Sequence, residues 1–372
     1  MIYLDNAATS YPKPPQVAQA MARALSSGAN PGRAGHELAI AAGRIVESCR
    51  EAVAQMLQET DASRVVFASS ATDALNMAIH GALRAGDHAV STLLEHNSVL
   101  RPLSELARAG LITLTLVPPD EAGRIRAADI QAAMKPRTRL VVMTHMSNVL
   151  GAVQDVRAVG AACRRRGALL LLDCAQTAGH LPLRPHEWGA SMLAMPGHKG
   201  LLGPQGTGVL WVGRGVALRP LRQGGTGSAS ESMFQPGTMP DGFESGTLNL
   251  PGIAGLHAGL EEAIPRMEET HARVVSLCNH LREMLLDIPG VRVYSPQDAS
   301  LVSFNIEGIG SQEAASALDG AGIAVRGGLH CAPGVHRFLG TLDTGAVRAS
   351  PGMETGRADV DALAAVVEKM AR

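Results

Sequence analysis

Between about residues 60 and 215, short apolar runs alternate with stretches of helical periodicity. "RVVFAS" precedes "ATDALNMAIHGALRAG", "DHAVSTL" precedes "NSVLRPLSELARAG", "LITLTLV" precedes "IRAADIQAAM", and "TRLVVMTH" precedes "VRAVGAACRRRG". "ALLLLD", "SMLAM" and "GTGVLWV" complete a set of seven apolar runs. The unbroken apolar character of "ALLLLD" predicts a strand covered on both faces. Strands separated by helices of this length predict an α/β fold, a mostly parallel seven-stranded sheet with helices on both faces. Ligands of such sheets sit beyond the carboxyl ends of the strands, so the residues that follow each strand carry the interest.

Residues 222–250 are rich in Gly, Ser and Pro and predict a long irregular segment. From about residue 251, long helical periodicity leads into "VRVYS", "SLVSFNIEG", a helix near 311–320, "IAVRG" and a last helix near 356–371. This predicts a smaller α+β C-terminal domain. The expected division is a large domain over 15–250 and a small one built from 1–14 and 251–372.

Composition narrows the picture. Apolar residues are 46% of the 372 positions, enough for a sizeable core, and 33 Lys+Arg balance 34 Asp+Glu. That balance gives no basic surplus for nucleic acid. No apolar run approaches the roughly 20 residues a membrane span needs. The start "MIYLDNAATS" lacks the pattern of a signal peptide. The five cysteines are scattered and form no C-x-x-C pair, which argues against a disulfide framework and suits a reducing cytoplasm.

Three features then point to one chemistry. Asp173 ends an apolar strand; alone, it reads as a helix-capping carboxylate. Lys199 follows another apolar strand; alone, it reads as a solvated surface charge. Their separation of 26 positions suffices for strand, helix and strand, which brings both groups to the same sheet edge. Pyridoxal 5'-phosphate (PLP) needs such a pair: an amine for its aldehyde, and a carboxylate that keeps its ring nitrogen protonated. Ala71 and Thr72 in "ASSATDALN" open a helix after a strand, where free N–H groups and the helix dipole favour a phosphate.

With these residues in hand, the chain resembles the class V aminotransferase family of fold-type I PLP enzymes, and within it the group II cysteine desulfurases. The resemblance runs nearly end to end through "YLDNAATSYPKP", "NPGRAGHELA", "ASSATDALN", "EHNSVLRP", "HMSNVLGAVQDV", "DCAQTAGH", "PGHKGLLGPQGTG", "FESGTLNLPGIAGL" and "GLHCAPGVH". It implies that Lys199 bonds the cofactor aldehyde, Asp173 pairs with the ring nitrogen and Gln176 bonds the phenolic oxygen. His96 would stack on the ring and assist proton transfer. Ala71, Thr72 and His198 would hold the phosphate. Thr247 would reach the phosphate of a neighbouring subunit, which implies a homodimer. Asn148 and Arg348 would hold the substrate carboxylate, a task that suits the planar fork of arginine.

The resemblance also gives Cys331 a role. It would take sulfur from L-cysteine as a persulfide, leaving L-alanine, and pass it to a thiol or a sulfur-acceptor protein. A mobile, partly exposed loop would suit it, with Arg326, His330, His336 and the helix after Pro333 favouring its ionisation. A zinc site at Cys331 and His336 lacks a second ligand pair. Other reactions on the same scaffold are a selenocysteine lyase acting on L-selenocysteine, a cysteine β-lyase and an aminotransferase; a different class is a non-catalytic PLP-fold binding protein. A thiol is superfluous for transamination, and no dinucleotide or P-loop motif is present. Pro196, Leu329 and Glu354 depart from the family pattern.

Overall fold

A computed structural model describes every residue except 28, 29, 32 and 33. Two positions of the "NPGRAGHELA" motif therefore lie outside the described residues. The chain opens with β1 (Ile2–Tyr3), α1 (Pro15–Ser27) and α2 (Glu37–Met56). The alternating region follows as β2 (Val65–Ala68), α3 (Ala71–Ala82), β3 (Asp87–Thr92), α4 (Asn97–Arg108), β4 (Ile112–Val117), α5 (Ala127–Ala133) and β5 (Thr138–Thr144). It continues with α6 (Val156–Arg166), β6 (Leu169–Asp173), α7 (Pro185–Trp188), β7 (Met192–Pro196) and β8 (Gly208–Val212). The remainder is α8 (Leu250–Ala263), α9 (Met267–Leu286), β9 (Val291–Val293), β10 (Val302–Ile306), α10 (Ser311–Gly320), β11 (Ile323–Ala324), β12 (Arg326–Gly328), α11 (Pro333–Leu339), β13 (Ala346–Ala349) and α12 (Arg357–Ala371).

The seven expected strands form one sheet in the order β2-β8-β7-β6-β5-β3-β4. All neighbours are parallel except β8, which runs against both β7 and β2. Side chains of a strand alternate between faces. Leu170, Leu172, Val141 and Met143 enter one core, while Leu171, Leu140 and Val142 enter the core on the other face. Both faces are thus buried, which accounts for the continuous apolar runs. The mostly parallel seven-stranded sheet, covered on both faces, that the sequence predicts is what the structure has.

A second, antiparallel sheet of order β12-β13-β10-β9 lies in the C-terminal part. Its core joins Phe304 and Val347 to Leu281 of α9, Val360 of α12 and Leu4 near the amino terminus. The long helical pattern after residue 251 is two helices rather than one. Pro265 lies in the 3₁₀ turn between α8 and α9, where its missing N–H and fixed φ end the first helix. α8 packs into the large-sheet core through Ile253, Leu256 and Leu260, with Val46 and Val53 of α2. The segment 222–249 is irregular apart from one 3₁₀ turn at Asp241–Phe243. No helix among the described residues is long and apolar enough to cross a membrane.

Candidate active site

The carboxyl ends of β2, β3, β5, β6 and β7 open on one cavity of about 220 Å³. It receives Ala71 and Thr72 after β2, His96 after β3, Asn148 after β5, Asp173 and Gln176 at β6, and His198 and Lys199 after β7. Arg326 and Arg348 of the C-terminal sheet close it, with His330 from the turn after β12. Nine of the eleven residues expected from sequence to share a site are therefore neighbours: all except Thr247 and Cys331 line this space.

Asp173 is 4% exposed, and its Oδ1 accepts the Ala175 N–H at 2.9 Å. No cation forms an ion pair with it among the described residues. Burial pushes its carboxyl up, against the Ala175 hydrogen bond and the charge of Lys199. A buried acid with one backbone partner in a cavity has room for a protonated nitrogen. Burial pushes the Lys199 amine down to about 8, aided by Arg348 and Arg326 and opposed by Asp173 and Asp5. A lysine so shifted carries an appreciable free-amine fraction near neutral pH.

The lysine loop is held from below. The His198 carbonyl accepts from the Ser10 N–H at 3.2 Å, Thr9 Oγ1 at 3.1 Å, Ser10 Oγ at 3.2 Å and Lys13 Nζ at 2.6 Å. Ser10 Oγ also reaches the Lys199 carbonyl at 3.0 Å. Gly179, at φ +79°, lets "DCAQTAGH" approach this loop: a Cβ there would lie 2.1 Å from the Gly200 oxygen.

At α3, Ser70 is the N-cap, and its hydroxyl takes the Asp73 N–H at 3.1 Å. The N–H groups of Ala71 and Thr72 have no intrahelical acceptor, so this end can receive an anion. Thr72 Oγ1 lies 2.7 Å from Ser98 Oγ, which lies 2.9 Å from His96 Nδ1. The Ser98 N–H donates to the same Nδ1 at 3.1 Å, so a neutral His96 carries its proton on Nε2. Burial, then the charges of Lys199 and Arg326, push His96 down to about 4 and keep it neutral. Ser98 links the two expected residues and was not anticipated; its spacing after His96 in "EHNS" was the available signal.

Cys331 is exposed, and the other four cysteines are buried. Its loop is tied rather than loose. Asn148 Nδ2 donates to the His330 carbonyl at 2.7 Å, and the Asn97 N–H donates to the Cys331 carbonyl at 2.7 Å. One N–H of Asn148 is thus spent on this loop, leaving its second N–H and Oδ1 free for another partner. His330 does not supply the positive charge expected beside the thiol. Burial, then Arg348, push it down to about 3, and burial also lowers His336. Cys174, beside Asp173, is wholly buried with its thiol pushed far up, as its position in the sheet core requires.

Gln176 Nε2 donates to the Ala7 carbonyl at 3.1 Å, which joins the amino-terminal segment to the cavity wall. Thr247 stands apart in a separate cavity of about 160 Å³, lined also by Ser69, Arg222 and Asn249. Glu244, three residues earlier, accepts from Arg50 through two bonds of 2.9 Å. Sequence reasoning passed over that pair because its members are 194 residues apart.

A model of the family described as aminotransferase class-V matches residues 2–363. The chain belongs to the class-V aminotransferase family. Members of this family are PLP-dependent in general. A protein of Methanothermobacter thermautotrophicus described as a probable cysteine desulfurase is 35% identical, covering 100% of this chain and 94% of that one. The apo structure of a cysteine desulfurase from Thermococcus onnurineus superposes with a TM-score of 0.93 at 31% identity, over 100% of this chain and 94% of its own. A cysteine desulfurase of Escherichia coli, solved in an S-sulfonic acid form, gives a TM-score of 0.90 at 30% identity, over 99% and 94%.

Proposed function

We propose that this class-V aminotransferase family member is a PLP-dependent cysteine desulfurase, which converts L-cysteine to L-alanine and takes the sulfur on Cys331 as a persulfide. The observation that carries this reading is the shared cavity of Lys199 and Asp173, with the Cys331 loop tied to the residue after His96. The similarity to proteins named cysteine desulfurase supports the choice of reaction.

The residues fit the cofactor: a buried carboxylate without an ion pair, a lysine of lowered basicity, a neutral histidine and a helix N-terminus face one space. When bound, PLP supplies an electron sink conjugated to the substrate amine. Asp173 holds a proton at the ring nitrogen, and Ala71, Thr72 and His198 receive the phosphate. Arg348, with Asn148, orients the substrate carboxylate. Lys199 Nζ takes the proton from the substrate α-carbon. The Cys331 thiolate attacks the substrate sulfur: the S–S bond forms as the C–S bond breaks, a proton matching the one the thiol gave up goes to the freed β-carbon, and return of the proton from Lys199 to the α-carbon completes alanine. Cysteine and enzyme thiol thus become alanine and enzyme persulfide, with no external oxidant.

Thr247 faces a cavity of its own, and this supports a homodimer in which it serves the neighbouring subunit's phosphate.

The test is reconstitution with PLP followed by separate supply of L-cysteine and L-selenocysteine. The expected result is a yellow protein whose visible band borohydride removes, and one persulfide on Cys331 per alanine formed in the first turnover on L-cysteine. Lys199→Ala is expected to lose the reducible band. A protein that forms no band with PLP would overturn the proposal. So would alanine production from L-selenocysteine alone, or sulfide release with pyruvate in place of alanine.

A further inference from the structure

Arg348 is 1% exposed, yet its guanidinium makes few bonds. Nη2 donates to Asp5 Oδ1 at 2.8 Å and Nη1 to the Asn148 carbonyl at 3.1 Å, while Nε is buried without a partner among the described residues. A guanidinium offers five N–H groups, so the rest of the fork is uncommitted. Arg348 lines the same cavity as Lys199.

Main-chain register delivers Asp5 to this place. Asp5 bridges in parallel with Ser350, two residues beyond Arg348. The Ser350 N–H donates to the Leu4 carbonyl at 2.7 Å, and the Asn6 N–H to the Ser350 carbonyl at 3.2 Å. Tyr3 Oη closes the turn on the Asp5 carbonyl at 3.2 Å. The carboxylate thus meets one edge of the guanidinium from a backbone fixed on both sides. A charge as buried as that of Arg348 needs a partner, and breaking such a pair leaves an uncompensated ion. The cavity keeps attraction for an anion despite the pairing, because Arg326 lies opposite Arg348 in the β12–β13 register and lines the same space.

We infer that Asp5 is a positioning residue: by occupying one edge of the Arg348 guanidinium it turns the free N–H groups toward the α-carboxylate of the substrate. The inference rests on the assignment of Arg348 to that carboxylate. Asp5 is not among the residues that line the cavity, and Arg348 is, so its effect passes through Arg348.

A pair of amines separates positioning from general support. L-Cysteine carries the carboxylate and cysteamine lacks it; both combine an amine with a thiol. Holoenzymes of wild type, Asp5→Ala, Asp5→Ser, Asp5→Asn and Arg348→Ala are titrated with each, and the change in the cofactor's visible absorption gives half-saturation. Asp5→Ala is expected to raise half-saturation for L-cysteine by about tenfold, the scale of a lost charge-assisted hydrogen bond, and to leave cysteamine within about twofold. Asp5→Ser, too short to reach Nη2, provides a second truncation if the alanine variant folds poorly. Asp5→Asn keeps an Oδ1 acceptor and is expected to retain most of the preference. Equal loss for both amines in the truncations would overturn the inference in favour of a purely structural role. Retention of the preference in the truncations, with its loss in Arg348→Ala, would overturn the inference alone. Retention in Arg348→Ala would remove the carboxylate assignment and the inference with it.

Discussion

The main-chain carbonyl of Cys331 accepts the Asn97 N–H at 2.7 Å. Asn97 opens α4 directly after His96, so the loop with the exposed thiol is fastened beside the histidine of the cavity. His330 and Cys331 both adopt left-handed backbone, with φ of 49° and 56°. Non-glycine residues hold such angles only where their surroundings over-determine them. The bonds from Asn97 and from the Asn148 amide supply that constraint here.

Removal of the thiol leaves these main-chain ties in place. Cys331→Ala is therefore expected to keep the cofactor spectrum and thermal stability of the wild type. Alanine formation from L-cysteine is expected to fall by roughly two orders of magnitude or more, because the proposed nucleophile is gone. Alanine quantification beside an absorption spectrum checks both halves; near-wild-type turnover would assign the sulfur another acceptor.

The lowered basicity of Lys199 predicts the pH dependence of cofactor capture. Only the unprotonated amine attacks an aldehyde, and burial pushes this amine down to about 8. The rate at which apoprotein takes up PLP is expected to rise with pH to about 8 and then level. An ordinary lysine would continue to gain up to about 10.4. Stopped-flow absorbance over pH 6 to 10 distinguishes the two profiles.

Glu95 is wholly buried; its Oε1 accepts from Thr92 Oγ1 at 2.6 Å and the Thr144 N–H at 3.0 Å, and its Oε2 has no partner among the described residues. Burial pushes its carboxyl up to about 8. The folded state then binds more protons than the unfolded state between the ordinary glutamate value of about 4.3 and about 8. Stability from this group is full below that window and is lost as pH rises through it. Glu95→Gln retains an Oε1 acceptor and does not titrate. Melting temperatures from pH 5 to 8.5 are expected to fall more steeply in the wild type than in the variant. Parallel curves would contradict the assignment.

The Arg50–Glu244 pair is buried on both sides, with side chains 4% and 5% exposed. Glu244 also accepts the Phe67 N–H at 2.6 Å, so it fastens the segment before Thr247 to β2. Glu244→Ala would strand a buried guanidinium, at a cost of about 3–5 kcal/mol. Urea unfolding measures this, with an expected drop in midpoint and little change in slope.

The part of the site that follows strands was readable from the chain alone. Lys199, Asp173, His96 and Thr72 each come just after an apolar run, and a parallel sheet gathers such positions at one edge. The contacts that tune them were not readable, because local pattern carries no record of them. Asp5 meets Arg348 across 343 positions, and the Glu95 bond to Thr144 crosses 49. β13, which carries Arg348, is four residues long and gave too little alternation to be noticed. The charge expected from His330 failed for a related reason: burial sets its protonation, and burial is a property of the assembled fold.

Four donors from Thr9, Ser10 and Lys13 converge on the His198 carbonyl, just before Lys199, the proposed cofactor lysine. Residues 9–13 consequently act as the floor of the loop that bears the amine. A shortened chain, or a rigid fusion pulling on that segment, would disturb the chemistry while leaving the large sheet intact, so the choice of where to attach a purification handle is a choice about catalysis.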